Sequence, residues 1–330
     1  MSFIEVKHIN KTFKVMKKSS GKFGSLKSFF NRKYDYIDAI KDISFSIKKG
    51  EIVGYIGPNG AGKSTTIKIL SGILIPDSGE VLIDKKIPWK QRQDYVSEIG
   101  VVFGQRTQLW WDIPAIDSFN LLRDIYKIED NKYQKRLKEL VELLNVGDII
   151  NIPVRQLSLG NRMKCEIIAS LLHDPKILFL DEPTIGLDAV SKKVIRDFIK
   201  KINKEKKVTI ILTTHDMLDI EALAKRIILI GKGRILYDGT LNNLKKKYDY
   251  IRTISIKTND TVDIKEDYIV NKTKIDDGYS FQIDIRKIEI NDFVKLLVKK
   301  VTLKDIDIDN DNVDNLIVRL YEEYKIWHLI

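Results

Sequence analysis

A glycine-rich octapeptide constrains the fold of this chain more than any other segment. Residues 57–64 read GPNGAGKS, which fits the pattern of Gly, four residues, Gly, Lys and Ser or Thr. The run IVGYI at 52–56 predicts a strand before the loop, and TTIKILSG at 65–72 predicts a helix after it. Backbone N–H groups and a helix N-terminus then converge on one point, which attracts phosphate. We therefore predict a phosphate-binding loop, with a glycine-rich turn before an ordinary helix as the alternative.

The residue types within this loop predict separate roles. Its glycines allow the backbone to approach a ligand closely, and Lys63 supplies positive charge to the outer phosphates of a nucleotide. Ser64 is placed to hold Mg²⁺. The loop residues assigned to nucleotide binding are Gly57, Asn59, Gly60, Ala61, Gly62, Lys63, Ser64 and Thr65.

A pair of adjacent acids provides the second half of the predicted chemistry. The segment KILFLDEPT at 176–184 is an apolar strand that ends in Asp181 and Glu182. Open α/β sheets bind their ligands at the carboxyl ends of parallel strands. We predict that Asp181 orients the Mg²⁺ shell and that Glu182 polarises the water that attacks the γ-phosphate. The alternative is a solvated acidic turn, although acids that close an apolar strand need a reason to be there.

The pattern of apolar residues predicts two domains. From Glu51 to about Gly239, β-branched runs alternate with longer helical stretches, which predicts an α/β fold with parallel strands. Earlier strands are predicted at 3–13 and 42–52. Beyond the lysine run at 245–247 we predict a small α+β domain. Its strands are predicted at 250–257, 267–272 and 279–285, and its helices at 291–300 and 312–324.

Composition indicates a cytoplasmic protein. The longest apolar runs fall far short of the roughly 20 residues that cross a bilayer, and the first ten residues lack the apolar core of a secretory signal. The single cysteine, Cys165, cannot form an internal disulfide. The net charge of +11 suits nucleic acid, an anionic membrane surface or simple solubility, and charge alone does not choose among them.

A basic insertion is predicted at about residues 14–37. Residues 14–33 contain lysines and arginines but no acidic residue. Apolar residues at spacings of three and four predict a short amphipathic helix that lies against an anionic membrane or a membrane partner. A solvated loop whose aromatic residues pack back onto the protein is the alternative. The residues of the predicted apolar face are Phe23, Leu26, Phe29, Phe30 and Tyr34.

Four further elements resemble the ATPases of ABC transporters. LSLGN at 157–161 resembles the signature sequence of that family, and IGLD at 185–188 resembles the loop that crosses its dimer interface, with Asp188 as the acid. His215 matches the switch histidine. Gln105 matches, better than Gln108, the glutamine that senses γ-phosphate and Mg²⁺ and touches the membrane partner. Taken singly, LSLGN could be a helix N-cap and His215 an interior hydrogen-bonded histidine.

The resemblance implies a site shared between two copies of the chain. In the family, the phosphate loop of one copy and the signature of the other sandwich each ATP, so Ser158, Gly160 and Asn161 would act on the ATP of the partner chain. Leu159 and Asn161 depart from the usual Gly and Gln of the signature, but Ser158 and Gly160 are kept, so activity is expected. The adenine-stacking aromatic falls at Phe13, where the family usually has Tyr.

The resemblance also implies a role for each site residue. The catalytic residues implied are Glu182, His215, Gln105 and Lys63. The nucleotide-binding residues include Phe13 and Asp188, and the Mg²⁺ ligands are Ser64, Gln105 and Asp181.

The resemblance also implies a fold, partners and a location. Residues 1–240 would form a P-loop ATPase domain with a parallel-strand core, an antiparallel β subdomain and a helical signature subdomain, and residues 241–330 a small accessory domain. GQRTQLWWDIP at 104–114, together with DEPTIGLD and the basic insertion, resembles ABC-2 type exporters of the drug or viologen kind. This implies ATP and Mg²⁺ as cofactors, a homodimer, permease partners at the cytoplasmic face of the membrane, and no nucleic acid. The alternatives are a soluble ABC ATPase that acts on ribosomes or DNA, and an importer ATPase with a regulatory C-terminal domain.

Overall fold

Two compact units, Met1–Asp238 and Gly239–Ile330, make up the chain in a computed structural model. The structure describes residues 2–17, 34–104, 106–310 and 313–324. None of the helices in these ranges is long and apolar enough to span a membrane.

A six-stranded sheet forms the centre of the first unit, in the order β5-β6-β7-β3-β8-β9. The pairs β5–β6, β6–β7, β3–β7 and β3–β8 are parallel, so the carboxyl ends of these strands share one edge. In β6 the residues before the final aspartate are at most 1% exposed, as is typical of parallel strands covered on both faces. The first nine strands are β1 (Ile4–Met16), β2 (Tyr34–Ile47), β3 (Ile52–Ile56), β4 (Ser78–Ile83), β5 (Ile99–Phe103), β6 (Ile177–Asp181), β7 (Thr209–Thr213), β8 (Arg226–Gly231) and β9 (Arg234–Thr240).

Helices connect these strands and form a separate helical group. Helices α3 and α4 both pack on α5, which is buried along most of its length. The helices of this unit are α1 (Lys63–Leu70), α2 (Arg92–Val96), α3 (Ala115–Ile125), α4 (Asp130–Leu144), α5 (Leu159–Leu171), α6 (Ala189–Lys206) and α7 (Met217–Leu223).

An antiparallel sheet in the order β2-β1-β4 completes the first unit. Its hairpin reaches further than predicted, since Met16 pairs with Tyr34. Both ends of the predicted insertion, 14–16 and 34–37, are therefore strand residues, and Tyr34 does not belong to an amphipathic helix. Residues 18–33 of the insertion, with the rest of the predicted apolar face, lie outside the described residues.

The predicted strand at 42–52 is wrong as a single element. Strand β2 ends at Ile47 and β3 begins at Ile52. Between them the N–H of Glu51 donates to the carbonyl of Lys48 (3.2 Å), which closes a turn. The turn moves the chain from the antiparallel sheet to the parallel sheet.

The second unit is a four-stranded antiparallel sheet in the order β11-β12-β10-β13, with helices, as predicted for an α+β fold. Phe281 and Phe293 meet edge to face in its core, with ring centroids 5.5 Å apart. The strand at residues 305–310 was not predicted. The elements of this unit are α8 (Leu241–Tyr248), β10 (Ile251–Lys257), β11 (Ile269–Ile275), β12 (Gly278–Asp284), α9 (Ile290–Lys300), β13 (Asp305–Asn310) and α10 (Val313–Glu323).

Candidate functional site

A cleft of about 1030 Å³ lies at the carboxyl ends of the parallel strands. It is lined by the loop after β3, the segment after β5, the acids that close β6 and the histidine that follows β7. The structure thus brings together residues from four separate parts of the sequence. The predicted site residues that line the cleft are Gly57, Asn59, Gly60, Gly62, Lys63, Ser64, Thr65, Asp181, Glu182 and His215.

The glycine-rich loop delivers the start of α1 into this cleft. Gly62 precedes α1 with φ 108°, a left-handed conformation that favours glycine, and a Cβ there would lie 2.5 Å from the carbonyl oxygen of Ala39. No described side chain caps this helix. The first N–H groups of α1 therefore face the cleft as hydrogen-bond donors for an anion.

The ammonium group of Lys63 is held over the loop. Its Nζ donates to the carbonyls of Gly57 (2.6 Å) and Pro58 (3.1 Å), and the residue is only 6% exposed. Burial lowers the pKa of Lys63, while the nearby charges of Glu182 and Asp181 act in the opposite direction. The loop and the acids together hold the Lys63 ammonium in the cleft, where phosphate oxygens would meet it.

A threonine on the neighbouring strand orients both acids. The Thr213 hydroxyl donates to Asp181 Oδ1 (2.5 Å), and the Thr213 carbonyl accepts from the N–H of Glu182 (2.9 Å). Glu182 has φ 56°, which is uncommon for a residue other than glycine. This backbone conformation ends the strand abruptly. His215 Nδ1 lies 3.7 Å from Glu182 Oε2, so the two side chains face one another across the cleft.

Gly104 brings a further segment against the acids, and the sequence did not single it out. Its N–H donates to the Asp181 carbonyl (2.7 Å), and a Cβ at this position would collide with the carbonyl oxygen of Glu182. Gln105 itself lies outside the described residues, while Gly104 and Arg106 line the cleft. The signal in the sequence is the glycine immediately after the strand VVF.

The oxygen atoms of the cleft fit a hard divalent cation. The Ser64 hydroxyl and the Asp181 carboxylate come from two different elements and line the same cleft. Such oxygen donors suit Mg²⁺, which usually binds proteins through one or two carboxylates plus the phosphates of a substrate. The residues present therefore agree with a Mg²⁺–nucleotide complex.

The signature-like segment is absent from the described residues that line the cleft. Ser158 precedes α5, and its hydroxyl accepts from the N–H of Asn161 (3.3 Å), which is an N-cap arrangement. Gly160 lies directly against α6, because a Cβ at this position would be 2.5 Å from Ser191 Oγ. Ser158, Gly160 and Asn161 thus form a second cluster at the start of α5, which meets the start of α6 at Gly160.

Asp188 belongs to this second cluster. It caps α6 and accepts from the N–H groups of Val190 (3.0 Å) and Ser191 (2.9 Å) and from the Ser191 hydroxyl (2.7 Å). The hydrogen bonds from Ser191 and Val190 lower the pKa of Asp188. The acid and the signature-like segment are therefore held together in one chain by Ser191.

Phe13 and Ala61 are also absent from the described residues that line the cleft. Phe13 is half-buried on β1, with Lys11 Nζ 5.9 Å from its ring centroid. Ala61 is 3% exposed, and its carbonyl accepts from the N–H of Gly233 (3.1 Å). This hydrogen bond joins the phosphate loop to the segment after β8. Adenine stacking on Phe13 stays a prediction.

A buried acid ties the loop after Gln105 to helix α5. Glu166 is 3% exposed, accepts from the Thr107 hydroxyl, and accepts at 3.1 Å from the N–H of Gln108. Burial raises the pKa of Glu166, and these hydrogen bonds partly offset the rise. Nearby, Trp110 and Trp111 are 44% and 47% exposed. The helix that begins at the signature-like segment therefore binds the loop that carries two exposed tryptophans.

Comparison with known proteins assigns the family. Residues 40–185 match the family model described as ABC transporter. The ABC transporter ATP-binding protein NatA of Bacillus subtilis (strain 168) is 34% identical over 215 residues, which cover 65% of this chain and 87% of NatA. The linearmycin resistance ATP-binding protein LnrL of the same organism is 30% identical over 291 residues, which cover 88% of this chain and 86% of LnrL.

A solved structure agrees with this assignment. This chain resembles the ATP-binding cassette MJ0796 in its dimeric structure of a post-hydrolysis state bound to ADP and Pi. The TM-score is 0.60 and the sequence identity is 27%. The match covers 72% of this chain and 98% of the MJ0796 chain. This chain therefore belongs to the ATP-binding proteins of ABC transporters.

Proposed function

We propose that this chain binds MgATP in the cleft and hydrolyses it as a head-to-tail homodimer that drives membrane-spanning partners. One observation carries the proposal. The cleft unites the phosphate loop, both acids and His215, whereas the Ser158 cluster lies outside the described lining of that cleft. A site that contains both sets of residues needs a second chain, most simply under two-fold symmetry. The dimeric state of the MJ0796 cassette supports this arrangement.

Each residue set has its own proposed role in binding and hydrolysis. The loop from Gly57 to Thr65 and the Lys63 ammonium would bind the phosphates, and Ser64 and Asp181, with Gln105 as the sequence predicts, would hold Mg²⁺. The ion, when bound, neutralises charge that develops on the phosphate oxygens. The Glu182 carboxylate would accept a hydrogen bond from the attacking water, with His215 Nδ1 3.7 Å from Glu182 Oε2. From the partner chain, the Ser158 hydroxyl and the N-terminus of α5 meet the γ-phosphate of ATP, with Gly160, Asn161 and Asp188 beside them.

The membrane partners are proposed to be permease subunits of an ABC-2 type exporter, at the cytoplasmic face of the membrane. The segment that presents Trp110 and Trp111 supports this, because exposed tryptophans are typical of protein interfaces. The name of LnrL describes a resistance protein, which is in line with export. An importer ATPase is the second candidate, and a soluble ABC ATPase that acts on ribosomes or DNA is the third.

Copurification tests this assignment. The tagged chain, extracted from membranes in mild detergent, is expected to bring down integral membrane subunits of the ABC-2 class, identified by mass spectrometry. The double variant Trp110→Ser, Trp111→Ser should lose them. Tyr324→Ser, which changes an exposed aromatic residue of the second unit, should keep them. Recovery of an importer permease, or of ribosomal proteins alone, would overturn the exporter proposal in favour of the corresponding alternative.

Residues 241–330 are proposed as an accessory domain with a regulatory or dimer-supporting role. The described part of this unit has its own core, in which Ile254, Phe281, Phe293 and Leu297 are fully buried. The sequence of the region contains no catalytic motif of the family. A domain that folds around its own core without catalytic groups acts through contacts, and a passive appendage is the alternative.

A further inference from the structure

A buried carboxylate joins the two loops that carry Glu182 and His215. Asp219, on α7, is 0% exposed. Its Oδ2 accepts from the hydroxyl of Thr184, two residues after Glu182, and from the hydroxyl of Thr214 (3.3 Å), immediately before His215. Both threonines are 2% exposed. A single carboxylate oxygen therefore connects the backbone segments of the two facing residues.

The other oxygen of Asp219 connects the same point to helix α6. Arg196 donates to Asp219 Oδ1 at 3.0 Å. A buried charge is costly unless it is paired and hydrogen-bonded, and here two hydroxyls and a guanidinium meet both requirements. One turn earlier on α6, Lys192 donates to Asp216 at 2.6 Å, which holds the start of α7. Asp188 caps α6, so the helix that starts beside this acid also carries the two cations that bind Asp216 and Asp219.

We propose that Asp219 is a positioning residue that sets the separation between Glu182 and His215. The inference rests on the proposed function for the catalytic meaning of that separation, but the positional link itself is independent of hydrolysis. The Thr184 and Thr214 hydroxyls share one acceptor, so the loss of either hydrogen bond removes the link through Asp219, while the hydrogen bonds of Thr213 remain. A displacement of about 1 Å in a reacting group can lower a rate by about 100-fold. The spacing of the two side chains is therefore under the control of a residue that touches neither.

The test removes the hydroxyls and leaves the buried charge in place. Thr184→Val and Thr214→Val are close to isosteric and keep the Arg196–Asp219 pair. Each is expected to lower kcat for ATP at least about tenfold, with KM changed less than about twofold. The double variant should be no slower than the slower single variant, because both changes break one link. Thr184→Ser and Thr214→Ser keep the hydroxyl and should restore kcat.

Thr209→Val is the matched control. Thr209 lies at the other end of β7, is fully buried, and its hydroxyl accepts from the N–H of Gly50 at 2.9 Å. The control should lose stability without losing kcat. If all three valine variants keep kcat, or all three lose it equally, the positioning role is overturned.

A second measurement does not require hydrolysis. The imidazole NMR signals of His215, assigned by their loss in His215→Ala, are expected to shift in Thr184→Val and to stay in place in Thr184→Ser and Thr209→Val. Unchanged signals in Thr184→Val would overturn the link. If Thr184→Val shows the shift but the parental protein hydrolyses no ATP, the result counts against the proposed function alone.

Discussion

His215 Nδ1 lies 3.7 Å from Glu182 Oε2. The two residues come from the ends of neighbouring parallel strands, β6 and β7, so their approach follows from the sheet order. Their side chains differ in exposure, at 18% for Glu182 and 61% for His215. The carboxylate is partly shielded from water while the imidazole remains accessible, an arrangement that suits a base that acts on one ordered water.

Replacement of this carboxylate should stop turnover and spare binding. Glu182→Gln removes the group that polarises water but keeps the phosphate loop and Lys63. We expect the rate of ATP hydrolysis to fall by roughly 10²–10⁴, with ATP binding unchanged and ATP-bound dimers accumulating. Phosphate release and size-exclusion chromatography with ATP measure the two effects. Hydrolysis at the parental rate would show that Glu182 is not the base.

Gly104 should be intolerant of any side chain. A Cβ there would collide with the Glu182 carbonyl, so Gly104→Val should destabilise the protein by about 1–3 kcal/mol and lower hydrolysis by displacing the acids. Gly147→Ala is the control, because a Cβ at that position meets only Val141 at an ordinary 3.8 Å. Thermal unfolding and ATPase assays check both variants. Equal behaviour of the two would contradict the close approach of Gly104 to the acids.

The thiol of Cys165 should be unreactive in the native protein. Cys165 is fully buried on α5, and burial raises the pKa of its thiol to about 12. The reactive thiolate is therefore scarce at pH 8, and reagent access is blocked. A chromogenic disulfide reagent should detect no thiol before denaturation and one per chain afterwards. Rapid labelling of the folded protein would mean that α5 is not packed as described.

Removal of residues 241–330 should change the behaviour of the remaining ATPase unit. Truncation after Thr240 keeps β9 and every predicted site residue. If the accessory domain regulates the motor or supports its dimer, either the ATPase rate or ATP-dependent dimerisation will change, while circular dichroism shows that the first unit remains folded. Unchanged rate, dimerisation and transport would identify the domain as a passive appendage.

The sequence predicted those features that depend on local order along the chain. The phosphate loop follows from glycine and lysine spacing between a strand and a helix, and the acids follow from their place at the end of an apolar strand. Strand β13 was missed because Asp305, Asp307 and Asp309 alternate with isoleucine, and aspartate is unfavourable in strands.

Other features depend on tertiary approach, which spacing does not encode. The Gly104–Glu182 contact and the hydrogen bonds of Asp219 arise where segments distant in sequence pack together. The predicted strand at 42–52 failed because the turn closed by Lys48 and Glu51 separates two sheets that both favour β-branched residues. Local propensity identifies such strands but does not assign them to a sheet.

The shared site is tested most directly by mixing two inactive chains. Ser158→Arg blocks the signature that acts on the partner's ATP, and Lys63→Ala removes the cation of the chain's own cleft. Each should be inactive alone, whereas a mixed dimer contains one intact composite site. If chains exchange freely and sites act independently, an equal mixture should recover about a quarter of the parental ATPase rate. Two results together would contradict the head-to-tail site: the mixture stays as inactive as either variant, and the parental protein forms no dimer when ATP is added.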